Sequence, residues 1–258
     1  MRPMCVIKLG GGLVNSLSRF WPALRAMMAE TDVVLVHGGG PQATEMARRL
    51  GHEPTIVQGR RVTSDLDLDI VRWTMRGEIN LALSSQAQGA GFRAVGIAGA
   101  DGGLLRVSRR PPWTIEGQSV DFGWVGDVVA VQPEILHTLL GAGFLPVVAP
   151  IGIDETGQVY NVNADTVAVA IARELGAAEL LLVTEAGGLR TGSGPFDKRI
   201  RICTQAVFDK GVDDGWIKGG MRVKIQLALE AIAGGVKDVW VTGAGDIAER
   251  INATHITA

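Results

Sequence analysis

The chain has 258 residues, of which 47% are hydrophobic and 20% charged, enough to bury a full core and too apolar for a disordered segment. A formal net charge of −2 and a pI near 6.1, with no run of basic residues, exclude an electrostatic footprint for nucleic acid or an anionic membrane, so small molecules are the expected partners. No apolar stretch reaches the length of a membrane span, and a cytoplasmic location is expected. Two cysteines, Cys5 and Cys203, form no framework and are expected as free thiols, while His37, His52, His137 and His255 lack metal-ligand spacing, so no protein-held metal is expected.

In chain order, short runs rich in valine and isoleucine predict strands near 4–8, 32–37, 93–97, 144–149, 179–184 and 237–242. They alternate with helical patterns and no linker divides them. The expected fold is therefore α/β, a three-layer αβα sandwich around a mainly parallel central sheet. Two strands end in glycine-rich turns, Lys8-Leu9-Gly10-Gly11-Gly12 and His37-Gly38-Gly39-Gly40. Glycine admits positive φ and close backbone approach, so such turns suit phosphate or carboxylate oxygens, the more so where a helix N-terminus follows. Neither is a Walker A loop or a GxGxxG fingerprint, and tight strand-to-helix turns are the simpler alternative.

From Asp65 to Gln88 the spacing predicts one long helix with Leu66, Ile70 and Trp73 on one stripe, ordinarily core, with a subunit interface as the alternative. Arg106 to Val131 reads as strands and hairpins, broken by Pro111, Pro112 and Gly117, a candidate flap over a substrate. Thr191 to Arg201 reads as a surface loop marked by Gly192, Gly194 and Pro195, with Asp197, Lys198, Arg199 and Arg201 as a solvated face.

Three polar clusters remain. In Asn161-Val162-Asn163-Ala164-Asp165 the polar residues share one face of an extended segment, and Asn163 or Asp165 could instead cap the following helix. Lys224 lies one turn into a helix opened by Lys218-Gly219-Gly220, where a cation is disfavoured unless an anion shares the space, a solvated side chain being the alternative. Thr184-Glu185-Ala186-Gly187-Gly188 ends a strand, where ligands of open α/β sheets bind.

Taken together, Lys8-Leu9-Gly10-Gly11, His37 to Gln42, Gly59-Arg60-Arg61-Val62-Thr63, Asn161 to Asp165 and Gly219 to Lys224 resemble the motifs of the amino acid kinase family over nearly the whole chain. The resemblance implies ATP-dependent phosphorylation of the side-chain carboxylate of N-acetyl-L-glutamate, a step of arginine biosynthesis. It implies Lys8, Lys224 and Asp165 as catalytic, the lysines flanking the phosphoryl group and Asp165 aligning them. Gly39, Gly40, Arg61, Asn161 and Asn163 would hold the acceptor. Gly11, Thr184, Glu185, Gly187, Gly188, Leu189 and Arg190 would hold the nucleotide, with Trp216, Ile217 and Lys218 closing its other side. Phe122 to Asp127 resembles the substrate-side hairpin. The acceptor half would run to about residue 176, with the nucleotide half over about 177–258. Mg²⁺ would arrive with the nucleotide, and a homodimer insensitive to arginine is implied, since no helix precedes the first strand as it does in arginine-inhibited hexameric members.

The chemistry also fits the residues on their own. A carboxylate acceptor is ionised at neutral pH and needs no general base, so transfer calls for cations and backbone donors around two anions. Glu185 stands where the family has aspartate, and Leu81 where relatives place lysine. Two other readings are a kinase acting on aminoadipate or glutamate tethered to a carrier protein, and a non-catalytic sensor of an amino acid or nucleotide.

Overall fold

The computed structural model describes residues 2–192 and 198–258; the expectations for Gly194, Pro195 and Asp197 lie outside them. Strand β1 (Met4–Leu9) leads through a 3-10 turn (Gly11–Asn15) to α1 (Phe20–Met28), and β2 (Asp32–His37) runs straight into α2 (Gly40–Arg49). A two-residue hairpin, β3 (Ile56–Val57) and β4 (Arg60–Arg61), precedes a continuous helical rod. The rod comprises α3 (Asp65–Val71), a π-helical stretch (Arg72–Ile79) and α4 (Asn80–Gly89). Then come β5 (Ala94–Ala98), β6 (Leu105–Arg109), the hairpin β7 (Trp113–Ile115) and β8 (Gln118–Val120), β9 (Gly126–Val131), α5 (Glu134–Gly141), β10 (Leu145–Ala149), β11 (Ile151–Ile153) and β12 (Val159–Asn161). The remainder is α6 (Ala164–Glu174), β13 (Glu179–Val183), β14 (Ile202–Cys203), α7 (Gln205–Asp213), α8 (Gly219–Ala233), β15 (Asp238–Thr242) and β16 (Thr254–Ile256).

Eight strands form one sheet in the order β14-β16-β15-β13-β1-β2-β10-β5. All neighbouring pairs are parallel except β15 with β16. The six strands expected from the valine- and isoleucine-rich runs are all in it, because a strand buried on both faces needs apolar residues throughout. Alternation along β1 sends Val6 into one core, with Val34, Val36, Val167 and Ile225, and sends Cys5, Ile7 and Leu9 into the other, with Leu24, Leu35 and Ile70. Lys8 shares a parity with Val6 and so faces α6 and α8. A second sheet, β12-β11-β6-β9, carries the hairpin region expected between Arg106 and Val131.

Two expectations need correction. The first glycine turn opens a five-residue 3-10 turn, with α1 beginning only at Phe20. The stripe on the long helix is not uniformly core: Ile70 is fully buried, but Leu66 is 41% and Trp73 54% exposed, and Leu81 is 65% exposed further along. The inner face of the rod instead runs through Leu68, Val71, Thr74 and Met75, and Leu66 and Trp73 lie on its outer flank from the first turn onward. Cys5 and Cys203 are free and buried. Among the described residues no helix is long and apolar enough to cross a membrane.

Buried Asn80 ties this rod to the sheet, donating from Nδ2 to the Val147 carbonyl at 2.8 Å and lying 3.1 Å from His37 Nε2. His37 Nδ1 is 3.0 Å from the Gly38 carbonyl, and burial lowers the imidazole pKa to about 4, so the neutral ring bridges Asn80 and the second glycine turn. Asn80→Ala leaves these buried groups unpaired and is expected to cost about 1–3 kcal/mol, read as a lower urea midpoint.

Candidate active site

The parallel strands of the large sheet end together, and at their C-terminal ends the two glycine turns meet. A Cβ on Gly11 would lie 2.7 Å from the Gly39 nitrogen, and one on Gly39 would lie 2.2 Å from Ile79 Cδ1 and 2.5 Å from Met75 Sδ. None of the six glycines in these turns has a left-handed φ, Gly39 being extended at 176°. That corrects the conformational half of the expectation: these positions need glycine for closeness to neighbouring backbone and side chains. Gln42 Nε2 donates to the Gly11 carbonyl at 2.6 Å and ties the turns together.

Beneath them lies an ionic centre. Asn163 caps α6 by accepting from the backbone N–H of Asp165 and Thr166 at 2.9 and 3.0 Å, which resolves the capping alternative in favour of Asn163. Asp165 in the first turn then points at β1 and α8. Its Oδ1 accepts from Lys224 Nζ at 2.5 Å and lies 3.1 Å from Lys8 Nζ, with all three residues buried. The anion that explains a lysine near the start of α8 is thus part of the protein. Burial opposes charge on Asp165, but the ammonium groups of Lys8 and Lys224 outweigh it and hold its carboxyl below the usual range. For Lys224, burial outweighs the pull of Asp165, and with repulsion from Lys8 its pKa falls to about 8.

Lys8 and Asp165, with Lys224 directly behind them on Asp165, wall a cavity of ≈410 Å³ that also takes in Gly11, Gly39, Gly40, Arg61, Asn161 and Asn163. The Arg61 guanidinium is fixed from three sides: Nη2 donates to Thr44 Oγ1 at 2.7 Å and reaches the Gly40 carbonyl at 3.5 Å, while Nη1 donates to Asp67 Oδ1 at 3.3 Å. Asp67 is buried and its other oxygen accepts from Ser64 Oγ at 2.7 Å, with His52 Nε2 at 3.1 Å. Asn161 Nδ2 donates to Thr63 Oγ1 at 3.1 Å, leaving its carbonyl oxygen for a ligand. Of the Asn163 amide, the oxygen is engaged by the cap.

The residues expected around a nucleotide gather elsewhere, past the ends of β13 and β15. Thr184 Oγ1 donates to the Gly187 carbonyl at 2.7 Å, and Gly188 lies so close to the Asn252 carbonyl that a Cβ would come within 2.7 Å of it. The Glu185 side chain lies over Gly12, where any Cβ would overlap its carboxylate. Arg190 forms a bridge with Arg199. Leu189 and Ile217 turn inward and belong to the core, so only their backbone is available to a ligand; Trp216 is half-buried and Lys218 exposed at the start of α8. Sequence reasoning did not single out Arg60, Arg110 and Val223, which also line the cavity. Arg60 and Arg110 lie within the motif and hairpin already noted, but only the folded hairpin brings them over Trp113.

A mainly parallel α/β sheet with paired glycine turns and a buried Lys-Asp-Lys centre defines a phosphoryl-transfer fold, and the chain belongs to the amino acid kinase family, whose model matches residues 3–243. Among its relatives, acetylglutamate kinase of Symbiobacterium thermophilum is 42% identical over 81% of this chain and 71% of that protein. Acetylglutamate kinase of Geobacillus kaustophilus is 38% identical over 92% of this chain and 88% of its own. Among solved structures, smu.665 from Streptococcus mutans superposes with a TM-score of 0.84 at 25% identity, covering 100% of both chains.

Asp165's contribution to stability is present above its unfolded-state pKa, about 3.9, and is lost as pH falls through the lower folded-state value. Asp165→Asn strands two buried ammonium groups and is expected to cost about 3–5 kcal/mol at neutral pH. Urea titrations of both proteins at descending pH should show the gap narrowing in acid.

Proposed function

We propose that this chain transfers the terminal phosphoryl group of ATP to the side-chain carboxylate of N-acetyl-L-glutamate, giving N-acetyl-L-glutamyl 5-phosphate and ADP, a step of arginine biosynthesis. The relatives named acetylglutamate kinase, 36–42% identical, support the acceptor. The observation that carries the chemistry is the single Asp165 oxygen shared by Lys8 and Lys224 at the cavity wall. It keeps two cations close together without cancelling both, leaving one net positive charge where two anions must meet.

In this reading the acceptor lies between the Gly39-Gly40 turn, Arg61 and Asn161, its reacting carboxylate turned toward Lys8. A carboxylate oxygen attacks the terminal phosphorus, the bond to the bridging oxygen of ADP breaks, and ADP leaves with that electron pair. No proton moves, so no general base is required. Lys8 and Lys224 neutralise charge on the phosphoryl oxygens from opposite sides, and backbone N–H groups of the glycine turns add donors that need no reorganisation. The nucleotide extends past Thr184, Glu185, Gly187, Gly188, Leu189 and Arg190 toward Trp216 and Lys218, which makes residues up to about 176 the acceptor half and 177–258 the nucleotide half.

Mg²⁺ fits as an ion carried on the nucleotide phosphates and water. Among the described residues no group of three or more His, Cys, Asp or Glu could hold a metal, and Asp165 is engaged by the lysines. The ion would supply further neutralisation of the phosphates. The supply of ATP and amino acid precursors places the reaction in the cytoplasm. The outward face of the long rod, with Leu66, Trp73 and Leu81 exposed, suits a second copy of the chain, giving a homodimer.

With ATP, Mg²⁺ and hydroxylamine, a hydroxamate is expected from N-acetyl-L-glutamate and not from free glutamate or N-acetylaspartate; no hydroxamate from folded protein that binds ATP would shift the reading to a carrier-tethered acceptor or a sensor. Lys8→Ala is expected to lower kcat by about 10²- to 10³-fold. Because Lys224 must carry its proton, kcat/KM is expected to fall as pH rises through about 8, and Lys224→Arg, which does not titrate there, should flatten that limb. Light scattering should give a dimer that Trp73→Glu weakens.

A further inference from the structure

Every cation at the cavity wall but one has a carboxylate partner. Lys8 and Lys224 share Asp165, Arg61 pairs with Asp67, and Arg110 pairs with Asp127 at 2.6 Å. Arg60 has no ion-pair partner among the described residues. Its guanidinium is half-buried and lies 4.9 Å from the centre of the Trp113 ring, which Arg110 also approaches at 4.6 Å. Burial and the neighbouring Arg110 depress its pKa, with Asp127 opposing them weakly. The Trp113 ring offsets part of this desolvation, but among the described residues no carboxylate pairs with the guanidinium, which leaves it open to an anionic ligand. Gly59, Arg60 and Val223 also form the common wall with a second hollow of ≈570 Å³, lined further by Gln58, Arg222 and Gln226. Space and positive charge therefore continue beyond the volume an acetyl group would fill.

We propose that Arg60 lets the site also take an acceptor whose amide-linked acyl chain ends in a second carboxylate, a dicarboxylic acyl group beside acetyl. This rests on the carboxyl-kinase reading above. With the reacting carboxylate turned toward the lysines and, in this reading, the α-carboxylate on Arg61, the acyl branch is the one left to reach Arg60. A methyl terminus there leaves the guanidinium unpaired, whereas a terminal carboxylate can take a bidentate pair from it. Gln58 and Gln226 line the same hollow and offer amide donors to a longer chain.

The test compares kcat/KM for N-succinyl-L-glutamate and N-acetyl-L-glutamate, by hydroxamate formation, in the wild type, Arg60→Met and Arg60→Lys. Methionine keeps an unbranched side chain against Trp113 and removes the charge. The wild type is expected to turn over both compounds, the succinyl-to-acetyl ratio of kcat/KM to fall by about 10- to 100-fold in Arg60→Met, and Arg60→Lys to recover part of it. Turnover of the acetyl compound without the succinyl one overturns this inference and leaves the kinase reading intact. A ratio unchanged by Arg60→Met, both acceptors losing equally, also overturns it, since Arg60 would then act on the shared part of the acceptor or on ATP. Turnover of neither compound overturns the kinase reading and this inference with it.

Discussion

One carboxylate between two buried ammonium groups governs how this protein is built. Asp165 joins β1, α6 and α8, elements far apart in the chain, at a point largely shielded from water. A lysine pair alone could not be buried there, because each charge would repel the other and neither would be hydrated. One carboxylate makes the burial tolerable while leaving the centre positive. The depressed pKa of Lys224 is the sign of that compromise: the site holds as much positive charge as burial allows. In the proposed reaction an incoming phosphate would complete the neutralisation that folding leaves unfinished.

Everything around this centre serves to aim it. The parity of β1 turns Lys8 toward α6, the Asn163 cap fixes the first turn from which Asp165 projects, and the parallel register brings the turns after β1 and β2 into contact. Arg61 and Asn161 are likewise held by neighbours, Asp67 and Thr44 on one side and Thr63 on the other. A site assembled this way is rigid before any ligand arrives, which reduces the ordering cost of bringing two anions together.

Six of the eight strands of the central sheet were legible because strands buried on both faces are apolar along their whole length, whereas the short β14 and β16 offer no such run. Lys224 was legible as an anomaly, a cation near the positive end of a helix. The glycine turns stood out in the sequence but for an incomplete reason: Gly11 and Gly39 are required by contact between two segments, and a single sequence does not show which segments touch. Trp73 was misleading because the apolar stripe read from the sequence lies to one side of the face that packs inward through Leu68, Val71 and Met75. Arg60 and Arg110 acquire their place only when β4 and the hairpin around Trp113 pack together, a long-range contact with no local pattern.

The π-helical stretch Arg72–Ile79 bears on how this fold can change over time. Its inner side presses Met75 and Ile79 against Gly39, its outer side carries Trp73, and Asn80 immediately after it reaches His37 and the central sheet. Removing one residue from the stretch would turn everything beyond it by about 100° relative to everything before it. Asn80 would swing off His37, and the face carrying Leu81 would no longer align with Trp73. Substitutions at single positions can drift one at a time, but the length of this segment cannot. It ties the shape of the acceptor turn and the surface on the opposite side of the rod to a single count of residues, so insertions and deletions here would be selected against on two grounds at once.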